Sequence, residues 1–196
     1  MEKILQNILL ALIYMNLTQL EDEIFVIESF LAHEECNDLI SEAENIGFND
    51  ADVQISNGKR QILTNVRNNE RVNYHSQVLA DSWWEKLNKL SLPKYYGKEP
   101  IGLSPYFRFY KYTSGQKFNT HKDGRQEVGG NTTYYTLIAY LNENCIGGST
   151  KFRRSDIEVL PKVGNVVLFQ HHLWHQGMKV EEGVKYVLRT DVVFQR

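Results

Sequence analysis

Three side chains toward the C-terminal end have the types and spacing to hold a redox-active metal ion: His121 and Asp123 in "FNTHKDG", and His175 in "FQHHLWHQG". Residues two apart on an extended strand point to the same side, so one stretch of backbone offers an imidazole and a carboxylate to a single ion. His175, about fifty residues on, supplies the third donor. Two neutral nitrogens and one carboxylate on one face of an octahedral ion leave three positions open, as mononuclear non-heme Fe(II) chemistry requires, whereas a structural zinc site is closed. Alone, the triplet is a weak signal, because a chain with six histidines and 24 acidic residues can show it by chance.

Neighbouring residues add weight to it. Ten positions beyond His175 stands Lys185, in "VKYVLRTDVVF", a run that reads as a strand yet carries two cations, Lys185 and Arg189. Core strands seldom hold charge without a fixed partner. A dianionic cosubstrate that chelates the metal at one end and presents a carboxylate at the other would be such a partner. Lys185 and Arg189 share a strand face but lie roughly 13 Å apart, too far to grip one short carboxylate together. His171 and His172 are the nearest rivals to His175 as ligands. The flanking "NVVLF" and Gly177 argue against the helix that a His-x-x-x-His pair would need, which leaves these two as supporting or surface residues. His33 and His75 read as ordinary surface histidines.

The segments "IFVIESFLAHEECNDLISEAE", "FRFYKYTSGQKFNTHKDG", "TLIAYLNENCIGGSTKF", "LPKVGNVVLFQHHLWHQG" and "GVKYVLRTDVVF" follow one another in an order and spacing that resemble a known family. That family is the Fe(II)- and 2-oxoglutarate-dependent dioxygenases of the prolyl 4-hydroxylase type, and the resemblance covers roughly residues 24–194. It implies iron ligands at His121, Asp123 and His175. It implies a grip on the distal carboxylate of 2-oxoglutarate by Lys185, which precedes an aromatic as the family's basic residue often does, with Arg189 as the alternative. Tyr112 and Tyr140 are implied as hydrogen-bonding partners of 2-oxoglutarate, although both would serve equally as core aromatics. The implied cofactor set is Fe(II), 2-oxoglutarate as cosubstrate and O2, with ascorbate as an additional reductant. The implied reaction is hydroxylation of an unactivated C–H bond with release of succinate and CO2.

The elements that must position these residues are legible in outline. The fold expected is mainly β with flanking α: a double-stranded β-helix, or jelly roll, with N-terminal helices packed on one sheet. "IFVI" reads as a strand, and Cys36, Leu39, Ile40 and Ala43 then follow with helical spacing up to Gly47. A second helix starts at Ser76, a good N-cap, and carries Leu79, Trp83, Leu87 and Leu90 on one face until Pro93. The intervening "NGKRQILTNVRNNERVNYH" is polar and reads as a surface segment or flap. Beyond it, "YFRFYKY", "TTYYTLIAYLN", "NVVLFQ" and "VKYVLRTDVVF" are aromatic and β-branched, with turn residues between them. Gly147 and Gly148 would serve backbone geometry beside the site. The organisation expected is one domain: an N-terminal helical segment over 1–23, supporting elements over 24–100 and the catalytic β core over 101–196.

With 196 residues and 42% hydrophobic content, the chain can bury one good core. A net charge of −2 gives no general attraction for nucleic acid or anionic membranes, so neither is an expected partner. Lys59, Arg60, Arg67 and Arg71 read as scattered surface cations, with a local basic patch as the less favoured reading. Cys36 and Cys145 show no disulfide framework and fit a reducing compartment. Residues 1–19 have the outline of a signal peptide, but Asn7 interrupts the apolar run and no small-residue cleavage site follows, so a cytoplasmic location is expected ahead of secretion. Ile4, Ile8, Leu9, Leu12 and Ile13 fit an amphipathic helix, and the run is too short to span a bilayer.

The expected partner is a peptide or small-molecule substrate, with peptidyl proline the first choice. A free amino acid or other metabolite is the alternative, and a metal-dependent non-oxygenase using the same triad is the rival from another class. Trp174 and the segment with Arg67, Asn68 and Arg71 are expected at the substrate mouth, because loops on a rigid scaffold supply recognition.

Overall fold

The computed structural model describes residues 15–54, 60, 61, 63 and 65–196. A hairpin of β1 (Asn16–Glu21) and β2 (Ile24–Glu28) leads into helix α1 (His33–Ile46), which ends at Gly47 with φ of 93°. The short strands β3 (Asn49–Asp50), β4 (Val53–Gln54) and β5 (Arg60–Gln61) precede β6 (Glu70–His75) and helix α2 (Gln77–Leu87). Ser76 caps α2, its hydroxyl accepting from the Leu79 N–H at 3.1 Å. The β core runs through β7 (Pro100–Leu103), β8 (Tyr106–Thr113), β9 (Phe118–His121), β10 (Glu127–Val128) and β11 (Asn131–Tyr140). It continues through β12 (Cys145–Gly147), β13 (Thr150–Phe152), β14 (Glu158–Val159), β15 (Val166–Gln170), β16 (His175–Gly177) and the long β17 (Val180–Phe194).

These strands make a jelly roll. The major sheet runs β1-β2-β15-β11-β17-β8-β6-β3, with β10 beside β11 and with β7 and β12 beside β17; the minor sheet runs β14-β13-β16-β9. Every pairing between these strands is antiparallel. Strand alternation divides the major sheet into two faces. Phe25 and Ile27 of β2, Phe107 and Phe109 of β8, Leu137 and Ala139 of β11 and Leu188 of β17 face the helices, where they join Cys36, Ala43, Trp83 and Leu87. The intervening residues, Ile24, Tyr110, Tyr112, Tyr140, Val167, Phe169 and Val187, face the minor sheet and pack with Phe152 and Val159. The helices thus seal one face with apolar contact, and the other face is free to carry polar side chains between the sheets.

Several local expectations need correction. Residues 16–21, placed in an N-terminal helical segment, form a strand, because cross-strand pairing with β2 satisfies their backbone. The helix expected from Ile4 to Ile13 lies outside the described residues. Helix α2 ends at Leu87, well before Pro93. The polar segment read as a flap includes a major-sheet strand, β6, whose Val72 is buried. No described helix is long and apolar enough to cross a membrane.

Candidate metal centre and its two cavities

His175 on β16 lies directly opposite His121 on β9, so cross-strand pairing brings residues distant in sequence into contact, with ring centroids 4.3 Å apart. Asp123 lies just beyond the end of β9. Its N–H donates to the His171 carbonyl at 3.1 Å, which keeps the chain extended and returns the carboxylate to the side of His121. Ligand atoms of the three residues all fall within 4.8 Å of one another. The Nδ1 atoms of His121 and His175 lie 2.8 Å and 3.0 Å from the carbonyls of Asn119 and Leu173, which assigns the proton to Nδ1 and leaves each Nε2 lone pair free. Those Nε2 atoms are the ones that face Asp123, at 3.8 Å and 3.6 Å. Burial pushes His121 down to about 3, and burial also lowers His175, so both rings are neutral near neutral pH. Two neutral nitrogens and an ionised carboxylate fit a divalent metal of the Fe(II) type.

Asp123 is itself fixed from outside. Thr136 donates to its Oδ2 at 2.6 Å and the Arg189 guanidinium lies 3.1 Å from Oδ1. Although burial works against ionisation, Arg189 and the neighbouring imidazoles hold this carboxyl well below the usual range. Arg189 also pairs with the fully buried Asp191 at 2.9 Å, and His171 Nε2 approaches that carboxylate at 3.3 Å. His171 is therefore a buried supporting residue, while the exposed His172 pairs with Glu23.

Lys185 occupies a different environment four residues away on the same face of β17. It is 2% exposed, donates to the Gly148 carbonyl at 2.6 Å and sits 4.6 Å above the Tyr112 ring. Among the described residues it has no carboxylate partner, and burial pulls its pKa down to about 8. Gly148 adopts φ of +69°, and a Cβ there would lie 3.0 Å from Lys185 Cδ. The glycine is thus required both by its backbone conformation and by the lysine packed against it.

Two cavities meet at the metal centre. A narrow inner one is lined by His121, Asp123, His175, Tyr110, Tyr112, Thr150, Lys185 and Arg189 among others. The outer one, about 460 Å³, shares His121, Asp123, Tyr110 and Arg189 and opens past Arg67, Arg71 and Lys122. Of the two tyrosines singled out from the sequence, Tyr112 lines the inner cavity. Tyr140 does not, and its hydroxyl donates to Thr150 at 2.8 Å. Trp174 stands under the Lys122 ammonium outside both cavities, and Asn68 accepts from the Lys117 N–H.

Sequence reasoning missed Tyr110, Thr136 and Thr150. The alternation of β8 and β11 could have found Tyr110 and Thr136, because they share a strand face with residues already in view, Tyr112 two positions on and Tyr140 four positions on respectively. Burial raises the Tyr112 phenol to about 12. Burial would raise Tyr110 too, but Arg67, Arg189 and Arg108 around it outweigh burial and hold it below its ordinary value.

Residues 107–190, which contain the whole triad and both cations, match the family model described as 2OG-Fe(II) oxygenase superfamily. Over that stretch the chain is similar to the superfamily. That match, with the His-Asp-His site it contains, supports an oxidoreductase that uses Fe(II), 2-oxoglutarate and O2. No curated protein sequence matches the chain. Among solved structures, a prolyl hydroxylase from Trichoplax adhaerens in complex with a hypoxia inducible factor peptide fragment is similar at TM-score 0.69 and 16% identity, over 97% of this chain and 92% of the other. A prolyl-4-hydroxylase from Pseudomonas putida is similar at TM-score 0.62 and 16% identity, over 89% and 94%. The viral collagen prolyl hydroxylase of Paramecium Bursaria Chlorella virus-1 gives TM-score 0.59 and 20% identity, over 88% and 96%. At these identities the likeness establishes the fold, which is prolyl hydroxylase-like.

Proposed function

We propose that this oxygenase hydroxylates an unactivated C–H bond of its prime substrate, with one oxygen atom of O2 entering the product and the other entering succinate as 2-oxoglutarate loses CO2. The observation that carries the reading is the pairing of an open donor set with a buried lysine, without a carboxylate partner among the described residues, across one narrow cavity. His121, Asp123 and His175 would hold Fe(II), which when bound supplies the oxygen-activating chemistry. Lys185 would receive the far carboxylate of 2-oxoglutarate, a charge-assisted bond that relieves the cost of keeping an ammonium buried. Tyr112 lies under that ammonium and would order the same end. Arg189 is the less suited of the two cations, since Asp123 and Asp191 already pair with its charge. Its task is to keep Asp123 ionised and oriented.

A prolyl side chain in a peptide is the substrate we favour, since the solved relatives named above are prolyl hydroxylases. Ascorbate would act only as an external reductant of the metal. The test is O2-dependent succinate formation from 2-oxoglutarate, with mass spectrometry for a gain of one oxygen by a substrate panel. If turnover is indifferent to 2-oxoglutarate, the rival reading of a metal-dependent hydrolase replaces this one.

A further inference from the structure

The outer cavity carries more positive charge than its own carboxylates neutralise. Arg67, Arg71, Arg108, Lys122, Arg125 and Arg189 line it, against Asp52 and Asp123. Arg71 is matched by Asp52 at 2.5 Å, and Arg189 by Asp123 and Asp191. Arg67 is not matched. It is 4% exposed, yet among the described residues it has no ion pair, and its Nη2 is buried without a hydrogen-bond partner. Its Nε donates to Asn69 at 2.9 Å, and the Tyr110 and Phe118 rings hold the guanidinium plane, at 4.7 Å and 4.1 Å to their centroids. Arg108 stands opposite Arg189 on the paired strands β8 and β17, a like-charge juxtaposition that costs stability. Its Nη1 is also buried without a hydrogen bond, 3.8 Å from an Asp191 that Arg189 already engages.

An arginine held rigid, buried and unsatisfied is costly unless an anion completes it, and its fork suits a carboxylate. The position is equally telling. Phe118, which stacks on Arg67, also stacks on the metal-site His121 at 3.6 Å between centroids. The segment carrying Arg67 is strapped to β9 by an Arg67–Phe118 bridge and by the Asn119 N–H donating to the Val66 carbonyl at 2.9 Å. The guanidinium is therefore one side chain away from the reacting centre, and it lines the outer cavity but not the inner one that holds Lys185. With a net charge of −2 over the chain, this concentration of cations is local.

We propose that the outer cavity takes an anionic prime substrate, whose carboxylate is received by Arg67 with Arg108 beside it, a few bonds from the carbon that is oxidised. The inference rests on the oxygenase reading for the identity of the oxidised carbon, but the anion site stands on Arg67 itself. A free carboxylic acid and an aspartyl or glutamyl residue of a peptide present the same group, and a cavity of about 460 Å³ is of a size for either.

The test uses matched acid and amide probes: N-acetylproline with N-acetylprolinamide, and capped Pro-Glu with capped Pro-Gln. Each is titrated calorimetrically into protein loaded with Mn(II) and saturating 2-oxoglutarate, so that Lys185 is already occupied. In at least one pair the acid is expected to bind about tenfold or more tightly than its amide, and the pair that shows it names the source of the carboxylate. Arg67→Gln should erase the preference, and Arg67→Lys should keep part of it, which separates lost charge from lost fold. Equal affinity of acid and amide in both pairs, absence of binding included, or a preference that survives Arg67→Gln in folded protein, overturns the proposal. Repeating the titrations without metal or 2-oxoglutarate keeps this readout separate from the oxygenase reading, which fails instead if 2-oxoglutarate does not bind the metal-loaded protein.

Discussion

Replacing Lys185 by methionine should stabilise the metal-free protein and weaken its hold on 2-oxoglutarate. The side chain is 2% exposed and, among the described residues, has only the Gly148 carbonyl as a hydrogen-bond partner, so its charge is maintained against burial. A fall in pKa from 10.5 to about 8 corresponds to about 3 kcal/mol at about 1.4 kcal/mol per unit. Because the folded value lies below the unfolded one, this penalty is complete below pH 8 and is relieved as pH rises through 8 toward 10.5. Methionine removes the charge at similar volume but also the Gly148 hydrogen bond, worth roughly 1 kcal/mol. The net gain near pH 7 is about 2 kcal/mol, or roughly 4–8 °C in Tm for a chain of this size. The variant should also lose the rise in stability that the wild type shows between pH 8 and 10.5. Cosubstrate binding should move the other way, by about 3 kcal/mol or on the order of a hundredfold in Kd, because a buried carboxylate loses its counter-charge. Urea unfolding of metal-free protein and calorimetric titration of Mn(II)-loaded protein with 2-oxoglutarate measure the two effects. Arg189→Met supplies the contrast: it strands Asp191 and Asp123, so it should destabilise by about 3–5 kcal/mol. A Lys185→Met protein with unchanged stability and a Kd within about threefold of wild type would refute the reasoning.

Thr136→Val removes the 2.6 Å hydrogen bond to Asp123 and should weaken Fe(II) or Mn(II) binding about tenfold, read by metal titration, with little change in the unfolding midpoint. Gly148→Ala forces a side chain into φ of +69° and against Lys185, and should cost about 1–2 kcal/mol of stability and weaken 2-oxoglutarate binding in parallel; an unaltered Kd would show that the lysine adapts freely. In metal-free protein, stability should fall as pH drops from 6.5 toward 3, because the unfolded chain protonates His121 before the folded one does. A flat urea midpoint across that window would contradict the burial assigned to the imidazole.

Much of the fold could be read locally. The helical spacing of Cys36 and Ala43 and the capping hydroxyl of Ser76 are short-range signals, and both helices form where those signals place them. The signals failed where burial or pairing had to be known first. Glu70–His75 is polar in composition, yet its backbone pairs with β8 along its whole length, and that pairing makes it a strand. Pro93 is a helix breaker, but α2 stops at Leu87, where its last buried side chain meets the core.

For the site, the sequence by itself determined which groups can bind metal, because the chemistry of His121, Asp123 and His175 belongs to the side chains and their spacing. It also placed an isolated cation, Lys185, at a telling interval. Only the tertiary structure decided which cation is satisfied and which is not. Lys185, Arg189 and Arg67 are equally charged in the sequence. What separates them is the arrival of Asp123 and Asp191 beside Arg189, of the Gly148 carbonyl beside Lys185, and of nothing anionic beside Arg67 among the described residues. Asp191 is local, two residues along β17 from Arg189, but Asp123 arrives from just beyond β9 and the Gly148 carbonyl from the turn before β13, brought in by long-range strand pairing that no local pattern encodes. Electrostatic energy depends on distance and on exclusion of water, and both are properties of the folded chain.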